Sequence, residues 1–493
     1  MSSHLQAHRD ASKQENRLNA IEGVEKLQPL HYIRELYDRR LDLFSDRVEN
    51  NPRALRRWFL IARAAGKLLK PFLRFGGLFS TQQRLALEII GSQSFTTDVI
   101  QALYPAKQAL QHYLDRVFDS VENQSQKLVW LEWCLSPDLL LAFDVQPLCT
   151  EGLVAILLLL EPDANLELID VGEQAGVPVE YCSASRNAIG AYLSRQIPDP
   201  DCIVTVSHPC DSMVSSYQTL EYLSGVPVYR LDTPQWEDER SLDYYTGEIR
   251  RLIAFLEEHL ERKLDYDRLR EVLTEVNKIN ELLMEINEMY RAKPCPGSVF
   301  STVLAWVARV VGQGTPEITE SARRLYEVTK KRYDAGRGTI KNEKIRVIWY
   351  DVPIVFSSLL TWMEEIFGAV VVMDLVSYVT QPSIDTSSPE SMIRGIALEN
   401  MNLAMARQFH GPIDFFHRDL ARICEDYDGD CFIYAGHVGC KHGWASVRLL
   451  KEYMKKIDMP LLVLTSDIFD RRVTNEDQLK TQIEEFFVSN RLV

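Results

Sequence analysis

No two of the nine cysteines in the 493-residue chain stand three positions apart. That removes the Cys-x-x-Cys pairs on which structural zinc sites and dithiol redox centres usually depend. A Gly-x-x-x-x-Gly-Lys-Ser/Thr loop is also missing, so no ATPase site is expected in this chain. Gly312-Gln313-Gly314 lacks a preceding strand and a third glycine, so it is not a dinucleotide fingerprint. Apolar runs are short. The longest, Leu153–Leu160, falls far below the ~20 residues that span a bilayer. Basic residues are outnumbered, 55 against 70, for a net charge of -15, which argues against a general nucleic-acid binder. The start, Met-Ser-Ser-His-Leu-Gln, carries no signal-peptide pattern, and a cytoplasmic protein is expected.

What remains is an ordinary globular composition, 46% hydrophobic and 25% charged, long enough for several domains. An odd number of cysteines in such a chain reads as thiols or metal ligands, not as a disulfide framework.

Two stretches stand out. Asp201–Asp211 (DCIVTVSHPCD) and Asp430–Lys441 (DCFIYAGHVGCK) each run from a buried strand through a small polar turn to a cysteine, Cys210 or Cys440, where a helix begins. Both belong to a β-turn-α-β pattern that occurs four times. Leu128–Glu132 leads past Cys134 to a helix over Pro137–Asp144 and a strand over Val145–Leu148. Ile203–Val206 leads to a helix over Ser212–Leu223 and a strand over Pro227–Leu231. Ile345–Tyr350 leads to a helix over Val355–Phe367 and a strand over Ala369–Met373. Phe432–Ala435 leads to a helix over Trp444–Lys455 and a strand over Leu461–Leu464. Strands joined by helices of this length are parallel. The fold class expected is therefore α/β, with two Rossmann-like domains of small parallel sheets, at 121–240 and 341–493. A helical N-terminal region (1–120) precedes them and a helical connector (241–340) lies between them. Within the first region Arg53–Phe75 is a basic amphipathic stretch, which suits a solvated face, a subunit contact or an anionic ligand.

In open parallel sheets ligands gather at the carboxyl ends of strands. Cys134, Cys210 and Cys440 lie there. Cys182 follows a strand-like run, Val177–Tyr181, and precedes a helix that Ser183 or Ser185 is expected to cap. A helix N-terminus favours a thiolate, the form that ligates metals. Cys202 and Cys431, inside strands, are expected to be packing residues, as are Cys295 and Cys424. Cys134 and Cys149 are ambiguous. For Cys182, Cys210 and Cys440 three chemistries stay open. One is an iron–sulfur cluster. Another is zinc, with His208, His437 or His442 as further ligands. The third is a redox thiol pair.

Tyr181-Cys182-Ser183, Pro209-Cys210-Asp211, Val226–Asp232, Gly439-Cys440-Lys441 and Met459–Leu464 together resemble the 2-hydroxyacyl-CoA dehydratase and benzoyl-CoA reductase family, in order from about residue 125 to 490. The resemblance implies a [4Fe-4S] cluster held between two Rossmann-like domains by Cys182, Cys210 and Cys440. It implies a paralogous partner subunit and a separate ATP-hydrolysing iron–sulfur activator that supplies low-potential electrons. It implies an acyl-CoA substrate, which the dehydratases carry through a ketyl radical and the reductases reduce at an aromatic ring. His208 before Pro209, and the cysteine-free Thr380–Asp385, depart from the family pattern. A zinc enzyme and a non-catalytic cluster-bearing subunit are the alternatives. The catalytic residues are not legible.

Overall fold

The computed structural model describes residues 34, 51–69, 88–124, 126–160, 164–297, 300–352 and 357–493. Short runs of β-branched, aromatic and leucine residues form eight strands: β1 (Leu128–Leu131), β2 (Gln146–Cys149), β3 (Cys202–Val206), β4 (Val228–Leu231), β5 (Ile345–Tyr350), β6 (Ala369–Asp374), β7 (Cys431–His437) and β8 (Leu461–Ser466). They make two four-stranded sheets ordered β2-β1-β3-β4 and β6-β5-β7-β8. Every pairing is parallel. The α/β expectation is thus met, with the same strand order twice.

That order locates the ligand side. β1 connects to β2 on one side, and β3 then pairs with the opposite edge of β1. The chain therefore leaves the carboxyl ends of β1 and β3 in opposite directions, which opens a crevice there. β5 and β7 repeat the arrangement. The central strands are covered on both faces, as parallel sheets require. Trp130 of β1 and Trp349 of β5 are among the largest fully buried side chains, each worth about 2–3 kcal/mol of apolar transfer.

β7 is longer than its sequence pattern predicts. Gly436 and His437 look like turn residues, yet both stay in register with Thr465 and Ser466 of β8. Trp444 lies against Gly436 so closely that a Cβ there would sit 2.8 Å from the indole. The extra pairing carries His437 to the sheet's ligand side.

A long helix, Thr97–Glu122, is capped by Thr96 and packs along Pro316–Asp334 of the connector. Ser321 Oγ donates to Ala102 O across that contact at 2.6 Å. The expected helical N-terminal region is represented by Pro52–Leu69 and Thr97–Glu122, with a non-helical break at 92–96. Arg34 and residues 88–91 are helical as well, and the rest of that expectation, including Lys70–Phe75 of the basic stretch, lies outside the described residues. The connector helices Glu239–Leu260 and Tyr266–Tyr290 start at the carboxylate caps Asp238 and Asp265. Arg346 of β5 fastens the end of the second to the second sheet. Its guanidinium donates to Tyr290 O (2.9 Å), Ala292 O (3.0 Å), Tyr427 O (2.9 Å) and Glu343 Oε1 (2.7 Å).

One expected strand is not formed. Val177–Tyr181 is turn and irregular backbone. Pro178 has no N–H for a ladder, Gly176 sits at φ 98°, and Tyr181 N donates to Pro178 O in a turn. Three helices fill the connection from β2 to β3 instead: Thr150–Leu160, Ala164–Gln174 and Ser183–Leu193.

Candidate functional site

Each of the three singled-out thiols occupies the same local position. Cys182 is the N-cap of Ser183–Leu193, Cys210 that of Asp211–Ser224, and Cys440 that of Lys441–Lys456. Neither Ser183 nor Ser185 caps its helix, a correction to the sequence expectation. Both are buried, and Ser183 Oγ instead donates to Asp467 Oδ1. A cysteine is a poor cap compared with serine or aspartate. Using one three times leaves three sulfurs at the positive ends of three helices. Gly443 N donates to Cys440 Sγ at 3.3 Å.

Two close approaches fix Cys182. Helices Ala164–Gln174 and Ser183–Leu193 touch through glycine: a Cβ on Gly190 would lie 1.8 Å from Leu168 O, and one on Gly172 would lie 2.5 Å from Arg186 O. From the other half of the chain Gly439 presses on the backbone of Cys182. A Cβ there would be 2.5 Å from Cys182 Cα and 2.6 Å from Tyr181 O. The turn that carries Cys440 is therefore seated on the turn that carries Cys182.

The sulfur of Cys182 meets a side chain across the same junction, with His437 Nε2 at 3.1 Å. His437 Nδ1 accepts from Ile468 N at 3.4 Å and lies 3.6 Å from Asp467 Oδ2. Asp467 is fully buried, and its Oδ1 also accepts from Phe469 N (2.9 Å) and Asp470 N (2.8 Å).

The three thiols feel one another. Burial pushes Cys182 well above the ordinary thiol range, and the fields of Cys210, Asp467 and Cys440 add to it. Cys210 is raised to about 11, first by burial, with backbone N–H from Met213 opposing and Glu132 reinforcing. Cys440 is raised to about 12 by burial, then by Asp351 and Cys210. Without a cation these groups stay protonated, because three thiolates here would repel one another and the three nearby carboxyls of Asp467, Glu132 and Asp351. A multivalent cationic centre reverses that balance. The donor set, three thiols at helix N-termini, thus suits a thiophilic metal centre. Among the described residues no three His, Cys, Asp or Glu side chains converge as tightly as a single ion requires.

The three histidines considered as zinc ligands face different neighbours. His437 turns to Cys182. His442 sets its ring against Phe409, with centroids 5.0 Å apart. His208 faces His410 at 6.5 Å. His208 is buried, neither ring nitrogen has a hydrogen-bond partner, and burial lowers its pKa to about 3.

Among the other cysteines, Cys202 and Cys431 lie inside β3 and β7, and Cys295 and Cys424 are buried in the core. Cys134 and Cys149 are also buried, and both thiols are held well above the usual range by burial and nearby carboxyls. All nine are free. Arg56 and Arg57 are exposed on helix Pro52–Leu69.

Three acidic residues escaped the sequence. Glu132, just past β1, is fully buried, with Oε2 accepting from Val206 N at 2.9 Å and from Thr205 Oγ1. Its Oε1 has no partner. Asp351 follows β5 at φ 103°, a strained backbone for a non-glycine residue, and its Oδ2 accepts from His437 N at 3.4 Å. Asp467 follows β8. The one available signal was position, since each stands at a strand's carboxyl end.

Among the described residues no helix is long and apolar enough to cross a membrane. The alpha subunit of (R)-phenyllactyl-CoA dehydratase from Clostridium sporogenes is 23% identical over 167 residues, which cover 33% of this chain and 41% of that relative. The chain thus matches less than half the length of that protein. A wider match comes from the family model described as 2-hydroxyglutaryl-CoA dehydratase, D-component, which aligns with residues 133–488 and includes Cys182, Cys210 and Cys440. By that match, over most of its length, the chain belongs to the 2-hydroxyglutaryl-CoA dehydratase D-component family.

Proposed function

We propose that this chain is the [4Fe-4S] subunit of a 2-hydroxyacyl-CoA dehydratase-type complex, with Cys182, Cys210 and Cys440 as the cluster ligands. The observation that carries the reading is the set of three mutually interacting thiols, each at a helix N-terminus, drawn from both halves of the chain. When bound, such a centre supplies one-electron chemistry and a Lewis-acidic iron, neither of which a side chain offers. The chain's own residues hold it and exclude water. The seated turns at Cys182 and Gly439 close one wall, and His208, two positions before Cys210, is buried with two unpartnered ring nitrogens.

In this reading a paralogous subunit pairs with the chain, and a separate ATP-hydrolysing iron–sulfur activator provides the electron. The reaction is elimination of a hydroxyl from an acyl-CoA thioester by way of a ketyl radical. A dehydratase name on the relative favours elimination over reduction of an aromatic ring, as in the benzoyl-CoA reductases. The exposed Arg56 and Arg57 are candidates to meet the coenzyme's phosphates, and thioester affinity that is unchanged in Arg56→Ala/Arg57→Ala would dismiss that role.

The test is iron and sulfide analysis of anaerobically purified protein, wild type beside Cys182→Ala, Cys210→Ala and Cys440→Ala. The wild type is expected to be brown and to carry iron and sulfide in equal amounts. Each variant is expected to lose them. Full iron in all three variants would refute the ligand assignment.

A further inference from the structure

We propose that His437 is a positioning residue that donates its Nε2–H to Cys182 Sγ and thereby raises the reduction potential of the centre that Cys182 holds. The inference rests on the cluster reading above and deepens it.

The tautomer follows from the partners of the ring. Ile468 N lies 3.4 Å from His437 Nδ1, and a backbone N–H can only donate. Nδ1 must therefore accept, which leaves Nε2 as the nitrogen that carries a proton. Asp467 Oδ2, at 3.6 Å from Nδ1, stands beyond hydrogen-bond reach and lies 3.9 Å from Arg186 Nη2 on its other side. With its proton on Nε2, the imidazole points an N–H at Cys182 Sγ, 3.1 Å away.

The ring is held for this task. Its residue closes β7, where pairing with Ser466 fixes the backbone. Trp444 Nε1 donates to His437 O at 2.9 Å, and His437 N donates to Asp351 Oδ2. The side chain is only 4% exposed, so water does not compete for the ring.

The three thiols are consequently unequal. Cys440 receives a backbone N–H from Gly443, and Cys210 is favoured by the N–H groups of Ser212 and Met213. Cys182 has a side-chain donor delivered from the opposite half of the chain. A donor dipole aimed at a ligand sulfur favours the form with the extra negative charge, and hydrogen bonds to sulfur are among the determinants of cluster potential. At a buried site that dipole acts with little screening.

The experiment compares the full chain, reconstituted anaerobically, as wild type, His437→Leu and His437→Gln. Iron and sulfide content and the midpoint potential are read together. His437→Leu is expected to keep its iron and to favour the oxidised form about tenfold at a fixed potential, a shift of about 59 mV downward for a one-electron couple. His437→Gln, whose amide still carries an N–H, is expected to recover much of the difference. Full iron at the wild-type potential in His437→Leu overturns the inference and leaves the cluster reading intact. Wild type without iron removes the cluster reading, and this inference with it. If His437→Leu does not retain iron, the decision passes to reduced wild type labelled with [15N]histidine. A nitrogen coupling to the centre that disappears in His437→Gln supports the donor, and its absence from the wild type overturns it.

Discussion

Cys182 and His437 are 255 positions apart in sequence, yet their reactive atoms lie 3.1 Å from each other. One caps a helix beside the first sheet and the other ends a strand of the second. The contact therefore exists only when the two halves are docked. Close by, Gly439 rests on the Cys182 backbone, and Arg472 reaches Asp170 at 2.6 Å. Docking of the halves and assembly of the thiol set are one structural event.

That coupling makes Gly439 a sensitive position. In Gly439→Ala the added methyl would sit 2.5 Å from Cys182 Cα, and backbone on both sides leaves it nowhere to move. The turns must separate, taking Cys440 away from Cys182. The expected result is a folded protein with normal far-ultraviolet circular dichroism whose bound iron falls severalfold. Wild-type iron in this variant would show that the junction tolerates a wider spacing.

Arg346 acts on stability, away from the thiols. It is buried and satisfies three backbone carbonyls and Glu343. Arg346→Met takes the cation from the buried Glu343 carboxylate, which keeps the N–H of Cys295, and takes the guanidinium donor from the three carbonyls. Losing one partner of a buried ion pair costs about 3–5 kcal/mol. The expected reading is a lower urea midpoint with an unchanged slope. An unmoved midpoint would mean that water replaces the guanidinium.

Much of this architecture is legible along the chain because parallel strands are locally encoded. A short apolar run, a small turn and a helix repeat four times, and the structure places strands at all eight positions expected of those four units, some with shifted ends. The thiols at strand ends were readable for the same reason. The failures are long-range. Val177–Tyr181 has a strand's composition but no ladder partner, and Pro178 cannot join one. His437 looked like a turn residue because its pairing with Ser466 is set by β8. Asp351 and Asp467 carry no motif, and the groups they face come from elsewhere in the chain. A local pattern can present a cysteine, but only the packed halves determine what meets it.

Cys134 tests the choice of ligands. It occupies the same strand-end position in the first unit as Cys210 does in the second, so position alone does not separate them. Exposure does: Cys134 is fully enclosed, whereas Cys182, Cys210 and Cys440 are each only half-buried. Cys134→Ala is expected to leave iron and sulfide at wild-type levels and to lower stability by about 1 kcal/mol, the scale of a small core deletion. Iron lost in Cys134→Ala but kept in Cys182→Ala would exchange their roles.

Glu132 predicts a pH dependence with a definite sign. Burial raises its pKa from 4.5 to about 8, against the opposing hydrogen bonds from Thr205 and Val206. Between those two values the folded chain keeps the proton while the unfolded chain releases it. The folded state then binds more protons, so this group's contribution to stability falls as pH rises through the window and levels off above about 8. Below pH 4.5 both states are protonated and the penalty is absent. Glu132→Gln keeps an oxygen for Thr205 and Val206 and removes the titration. Its unfolding free energy relative to wild type is expected to increase by a few kcal/mol between about pH 5 and pH 8, then to remain flat. The measurement is urea unfolding of wild type and variant at each pH. A difference that stays constant across the window would show that Glu132 is ionised in the folded protein, with its charge set beside Cys210.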